Sequence, residues 1–395
     1  MRVAVILEQN INVGGGFQQP LSVIKLLKQN QIEETECVFF VFSRENQLFL
    51  REIGVDAFLI KRNIFILLHR CVSKIAQRLF GFFFSFRGYI DKILLDHKID
   101  LVYFLGPSSY ATGLRKHNYI ITVWDQCHRD WPEFPEIYLN DEFEFREFLY
   151  KNTLRKAVAI LVDDELSKKK MQERYGVDAD RIHVARFFPM VDAQLMTIPS
   201  VDVSVKYSVK KPFLFYPAQF WAHKNHAYIL RALKKLKEKN IFVDVVFVGN
   251  DYGNKKFLIK TVESMNLTAQ VHFLGFISRE EVVAFYKTAL ALVMPTYFGP
   301  TNIPPLEAFA FGCPVCYSDL PGLREQVGDA AFLMNLDDES SLVSIIETLL
   351  QDKNTVEAKI TAGYRRLAVY SETEYFNILA RIFLNYKKIQ KTRMQ

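Results

Sequence analysis

Short apolar runs alternate with longer stretches of helical periodicity along the whole chain. Apolar runs of about four to eight residues, bounded by Gly, Pro, Asn or Asp, read as buried strands, and apolar positions recurring every three or four residues read as helices. In the first half this predicts strands over Val3–Leu7, Val38–Phe42, Leu101–Leu105, Ile120–Val123, Ala159–Val162 and His183–Ala185. In the second half it predicts Phe213–Pro217, Val243–Val248, Val271–Leu274, Ala291–Met294, Pro314–Tyr317 and Ala331–Leu333. Strands separated by helices imply parallel sheets, hence an α/β chain. The stretch Pro189–Pro212 lacks helical periodicity and reads as a linker between two doubly wound domains facing a cleft. The expected domains are 1–195 and 205–368. Residues 369–395 form a final helix that either completes the second domain or packs back on the first. Its start, Ser371 with Glu374, has capping-box spacing, and Phe376, Leu379, Phe383 and Tyr386 fall on one helical face.

Composition narrows the picture only a little. The 395 residues suffice for two or three domains, and half of them are hydrophobic. Net charge is +6, which favours an anionic partner without naming nucleic acid. Five scattered cysteines argue for a reducing compartment, and Cys313-Pro-Val-Cys316 lacks the second pair that a zinc site needs. No signal peptide is legible and no apolar run approaches the roughly 18 residues of a membrane span, so a cytoplasmic protein is expected.

Ligands of open parallel sheets bind beyond the carboxyl ends of the strands, so chemistry is sought in those turns. The stretch Pro295–Phe332 reads as loop, helix, strand, loop and short helix. Thr301-Asn302-Ile303 leads into Pro304 and Pro305, which suit a first helical turn, and Gly312 suits its stop. A helix start supplies free N–H groups and a positive dipole end, an anion site. Glu307 follows as a carboxylate able to accept hydroxyls. The combination fits a sugar nucleotide, and it also fits an ordinary capped βα turn.

Other turns carry their own candidates. Gly14-Gly15-Gly16 sits between the first strand and a helix expected from about Pro20, and allows close approach of backbone to a ligand. Asp125 and His128 follow the strand ending at Val123, where either would suit an acid, a base or a hydroxyl anchor, although a lone histidine is more often structural. Lys224, in QFWAHKNH, stands just before a helix and would neutralise leaving-group charge. His223 and His226 flank it without a nearby carboxylate, so no metal is assigned. Gly249-Asn250 and Gly275-Phe276-Ile277 end two further strands, the latter able to meet a nucleobase edge through backbone.

The stretch 61–87 is different in kind. Apolar residues at helical spacing share it with Arg70, Lys74 and Arg78 at every fourth position, and five phenylalanines follow from Phe80 to Phe86. It reads either as a core-facing helix with a solvated basic face or as peripheral contact with an anionic membrane. No nucleic-acid module accompanies it.

Together, PAQFWAHKNH, FVGN, VHFLGFIS and PPLEAFAFGCPV with DLPGLREQVGDAAF, and in the first half GGGFQ and ILVDDELSKKKMQERYGVDADRIHVA, resemble the retaining glycosyltransferases of the GT-B fold, family 4 in particular. The resemblance spans nearly the whole chain and is strongest from Phe213 to about Leu350. It implies a nucleotide-diphosphate sugar (UDP- or GDP-linked) bound mainly by the second domain, a glycan or lipid-linked saccharide acceptor bound mainly by the first, retention, and neither metal nor cofactor. It implies two Rossmann-like domains. The basic aromatic stretch 61–87 adds the expectation of contact with the inner face of the membrane and of a membrane-borne acceptor, as in surface-polysaccharide biosynthesis, and no nucleic acid is expected. Carried over by position, Lys224 contacts the diphosphate, Glu307 the ribose, Thr301, Asn302 and Ile303 the phosphate and sugar, and Phe276 and Ile277 the base. Gly15 and Gly16 approach the donor from the first domain, and Gln219 and Gly249 line its site. Three positions depart from the family pattern: Gly299 stands for the first of two glutamates, Gln219 for a basic residue and Trp124 for a histidine. Asp125, His128, Thr301 or Asn302 are the candidates to take over those roles. A glycoside phosphorylase or epimerase of similar architecture and a non-catalytic, membrane-associated scaffold remain the alternatives.

Overall fold

The computed structural model describes residues 1–11, 15–61, 88–189, 202–299 and 301–392. They form two compact units. Unit 1 comprises Met1–Glu133, Ile137–Phe187 and Glu372–Gln395, and unit 2 comprises Phe134–Glu136 and Phe188–Ser371. The chain therefore enters unit 2 for three residues, returns, and re-enters near Phe188.

Unit 1 is built on β1 (Arg2–Leu7), β2 (Glu36–Val41), β3 (Ala57–Leu59), β4 (Leu101–Phe104), β5 (Asn118–Thr122), β6 (Ala159–Val162) and β7 (Ile182–Val184). Unit 2 is built on β8 (Phe213–Pro217), β9 (Asp244–Val248), β10 (Val271–Leu274), β11 (Ala291–Met294), β12 (Val315–Ser318) and β13 (Phe332–Met334). The sheet orders are β3-β2-β1-β4-β5-β6-β7 and β10-β9-β8-β11-β12-β13, with every pair parallel. Helices cover such sheets on both faces, so central strands such as Val3–Leu7 and Phe213–Tyr216 are apolar at every position and buried at every position. Each predicted strand is present to within a residue or two. The short edge strand β3 was not in the prediction; none of its three residues is fully buried, so it lacks the apolar signature of the inner strands.

Among the helices, α1 is Gly15–Gln29, α2 Glu142–Thr153, α3 Glu165–Tyr175, α4 His226–Glu238, α5 Arg279–Thr288, α6 Ile303–Ala310 and α7 Glu372–Lys391. Their ends follow from local chemistry. The Asp164 side chain accepts from Ser167 N to start α3, and Gly176 closes it at a left-handed φ of 58°. Ser278 and Glu281 form a reciprocal capping box on α5. α1 begins at Gly15, earlier than expected, and contains Pro20. Part of the expected linker is also ordered: Val203–Lys206 is a one-turn helix with Val203 buried and Lys206 paired to Glu281.

α7 belongs to unit 1. Its buried face is Tyr375, Ile378, Leu379, Ile382, Phe383 and Tyr386, with Phe376 only partly covered. The Tyr375 hydroxyl meets the Tyr103 hydroxyl at 2.9 Å, and Tyr386 accepts from Asn118 Nδ2 at 3.1 Å.

In unit 2, His226 starts α4 fully buried against Tyr216, Phe220 and Phe247. Burial first, and the Lys224 charge second, push its imidazole from 6.5 down to about 3. The folded chain thus keeps His226 neutral where the unfolded chain protonates it. Its contribution is complete above pH 6.5 and is lost as pH falls from 6.5 towards 3. Thermal or urea unfolding should show unit 2 losing on the order of 2 kcal/mol between pH 6.5 and 5 relative to a His226→Met chain. Identical pH slopes for the two chains would refute this.

Candidate functional site

The order of the second sheet reverses between β8 and β11, the switch point at which loops diverge and leave room for a ligand. The turn after β8 carries Ala218–Lys224, and the turn after β11 carries Pro295–Asn302. Lys224 and Asn302, 78 positions apart, meet there, with Lys224 Nζ donating to Asn302 Oδ1 at 3.1 Å. Asn302 is the residue that precedes α6, and Pro304 and Pro305 occupy its first turn.

Asn302 is held from all sides. Its Nδ2 donates to Gly299 O at 2.7 Å and to the Tyr317 hydroxyl at 2.6 Å. Gln326 grips its backbone, accepting from Asn302 N at 3.1 Å and donating to Asn302 O at 2.6 Å. Gly299 has φ +105°, and a Cβ there would sit 2.8 Å from Asn302 Oδ1. Here a side chain at position 299 needs both another backbone conformation and a displaced Asn302. Thr301 and Ile303 are half-buried beside it.

Glu307 lies in the second turn of α6, where its spacing from Pro304 had suggested the first, and is 5% exposed. One oxygen accepts from Arg279 Nη1 at 2.6 Å and the other from the Tyr286 hydroxyl at 3.0 Å. The Gln219 Oε1 accepts from Asn250 N at 2.5 Å, fastening the β9 turn. Gly249 permits that approach, since a Cβ would stand 2.3 Å from Ala218 O. Phe276 is 89% exposed, whereas Ile277 is buried.

His223 has a carboxylate partner that spacing gave no means of finding. Glu136, 87 positions away and part of unit 2, accepts from His223 N at 2.9 Å and pairs with its ring Nδ1. The ring stacks on Phe298 with centroids 3.8 Å apart. His223 O accepts from Tyr297 N, and Lys224 O accepts from the Tyr216 hydroxyl at 2.9 Å. The backbone that aims Lys224 is thereby fixed. Arg279, Tyr286, Tyr317 and Gln326 likewise had no local sequence signal.

In unit 1, Gly15 and Gly16 form the first turn of α1, and Asn12–Gly14 lie outside the described residues. Asp125 is committed to Arg146 at 2.8 Å and to Cys127 N at 3.0 Å. Burial raises its carboxyl, but Arg146 and the Cys127 hydrogen bonds outweigh that and hold it below the ordinary value. His128 has no exposed surface. Its Nε2 meets Glu147 Oε1 at 3.0 Å and the Tyr175 hydroxyl at 3.1 Å, and burial first of all holds it below its ordinary value. Asp125 and His128 thus hold a one-turn helix, Cys127–Asp130, against α2 and α3 through these hydrogen bonds. Trp124 lies against Gly106, where a Cβ would come within 2.5 Å of the indole.

Among the described residues no group of three or more His, Cys, Asp or Glu is placed to hold a metal, and no helix is long and apolar enough to cross a membrane. Cys313 and Cys316 are buried, and burial pushes the Cys313 thiol up to about 12, so the pair is inert as nucleophiles. All of the basic aromatic stretch but Lys61 lies outside the described residues.

Comparison with known proteins matches each half to a family. Residues 202–366 match "Glycosyl transferases group 1", and residues 35–186 match "Glycosyltransferase Family 4". The O-antigen chain mannosyltransferase RfbU of Salmonella typhimurium is 29% identical over 219 residues, 55% of this chain and 58% of that protein. The O-antigen chain mannosyltransferase B of Escherichia coli is 24% identical over 245 residues, 60% of this chain and 63% of that one. The match thus spans less than two thirds of these relatives' length. Among solved structures, Anabaena HepE in complex with UDP and glucose aligns with TM-score 0.74 at 15% identity, over 98% of this chain and 100% of that one. WaaG, a glycosyltransferase involved in lipopolysaccharide biosynthesis, aligns with TM-score 0.69 at 15% identity, over 96% and 99%. These likenesses share the two-Rossmann-domain GT-B fold. Half by half, the chain belongs to Glycosyltransferase Family 4 and the group 1 glycosyl transferases.

Proposed function

We propose that the protein transfers a sugar, with retention and without a metal, from a nucleotide-diphosphate sugar to a glycan or lipid-linked saccharide in the assembly of a surface polysaccharide. The observation that carries this reading is the Lys224–Asn302 pair at the start of α6, beyond the switch point of the second sheet. A donor diphosphate placed there receives the Lys224 charge together with the Ile303 N–H and the positive dipole end of α6, whose next two residues, Pro304 and Pro305, have no N–H to offer. Negative charge grows on the diphosphate as the sugar departs, so both groups bind the transition state more strongly than the ground state. Front-face transfer asks little of a side-chain nucleophile, which accords with glycine at position 299. The Arg279–Glu307 pair presents a fixed carboxylate one turn along α6, suited to ribose hydroxyls, and the exposed Phe276 suits the base. The names of the O-antigen mannosyltransferases support a mannose-type donor and a surface-glycan acceptor. The stretch 61–87 would bring the protein to an anionic membrane face.

Purified protein should release nucleoside diphosphate from a GDP- or UDP-sugar when acceptor is present. Lys224→Ala should lower kcat by about a hundred-fold to a thousand-fold, as loss of one preorganised charge stabiliser does elsewhere. Glu307→Gln should chiefly raise the donor KM. Full activity in both variants would remove the donor site from this position, and phosphate-dependent cleavage without a sugar nucleotide would replace the reaction. Gly299→Ala should destabilise unit 2 by about 1–3 kcal/mol through the strained φ and the Asn302 overlap. A melting curve superimposable on the parent's would refute that account of Gly299.

A further inference from the structure

A second polar site lies wholly within unit 1, on the edge strand of its sheet. A pocket of about 400 Å³ opens between the first turns of α3, strand β7 and α7. Its lining includes Lys168 from α3, His183 and Arg186 from β7 and the residues after it, and Arg381 from α7. Glu165 and Glu374 stand in the first turns of α3 and α7, where a helix start favours a carboxylate. Among the described residues, neither Lys168 nor Arg381 forms an ion pair with a carboxylate. Both nevertheless lie near enough to His183 for their charges to disfavour its protonation, after burial, which acts most strongly. Cations brought together from separate elements repel one another, and an anion seated among them relieves that repulsion. The volume exceeds that of one phosphate group and falls within the range of small-molecule sites.

We propose that this pocket binds a phosphate-bearing small ligand, its phosphate oxygens taken by Lys168, Arg381 and the His183 imidazole. Phosphate fits better than a planar carboxylate because the donors converge from three elements rather than from one fork. Binding supplies negative charge beside His183 and so favours its protonation against the charges of Arg381 and Lys168. The site is separate from Lys224 and Asn302, and its occupation does not depend on the transferase reading.

The test uses the full chain. Calorimetric titration with inorganic phosphate should show one saturable site. Lys168→Ala and Arg381→Ala should each weaken it about ten-fold, equivalent to about 1.4 kcal/mol, while Arg381→Lys retains most of the affinity. Both side chains reach solvent, and unchanged melting curves will confirm that the variants fold. Nuclear magnetic resonance of the His183 ring should show its titration moving to higher pH when phosphate is added. Cosedimentation with phosphatidylglycerol vesicles, against phosphatidylcholine vesicles, distinguishes the source of the phosphate. Vesicle binding lost in Arg381→Ala and competed by phosphate points to a lipid headgroup, and its absence points to a soluble phosphorylated compound. Phosphate affinity unchanged in both alanine variants, no saturable binding, or an unmoved His183 titration would each overturn the proposal.

Discussion

Five hydrogen bonds close on Asn302, from Lys224, Gly299, Tyr317 and both ends of the Gln326 amide. A buried amide left without partners is costly, so each of these contacts constrains a neighbour. Because Nδ2 takes the Gly299 carbonyl, residue 299 must turn through a φ that glycine alone tolerates well. Because Gln326 spans the backbone N–H and C=O of Asn302, the direction in which the chain enters α6 is set before the prolines act. Because Oδ1 faces Lys224, the ammonium is aimed along the start of α6 rather than left to roam. The turns after β8 and β11, β12 itself and the short helix Pro321–Val327 that follows it thus converge on one residue.

A second polar knot organises the middle of unit 1. Glu147 on α2 takes Arg129, Lys151, His128 and the Tyr175 hydroxyl, and these hydrogen bonds overcome its burial and hold the carboxyl well below the ordinary range. Asp130 takes Lys170 and Arg174 from α3. Partly buried pairs of this kind are weak evidence for net stability, since desolvation offsets much of the attraction. What they supply here is registration: one short turn after β5 is fixed against two helices at once.

The two-sheet architecture was legible because parallel strands covered on both faces become unbroken apolar runs, as Val3–Leu7 and Val243–Val248 show. The start and stop of α6 were legible because proline and Gly312 act through local backbone geometry. The contacts of the polar turn after β5 were illegible for a physical reason. Asp, His and Arg gathered after a strand look the same whether they face a ligand or answer charges on α2, some 20 positions later. The Gln219 contact was illegible for the same reason, since it reaches a backbone N–H on the next strand's turn. Pairs such as Glu136–His223 and Arg279–Glu307 depend on tertiary approach, which no spacing encodes.

The final helix, α7, lends its buried tyrosines to a unit whose sheet ended nearly two hundred residues earlier along the chain. During synthesis, then, the seven-stranded sheet must wait for unit 2 to be made before Tyr103 and Gln19 acquire their partner at Tyr375. Unit 2, by contrast, needs from upstream only the three residues Phe134–Glu136, which have already left the ribosome. The half made first is therefore the half finished last, and a nascent chain interrupted before Glu372 leaves an apolar face of the first sheet open to whatever meets it.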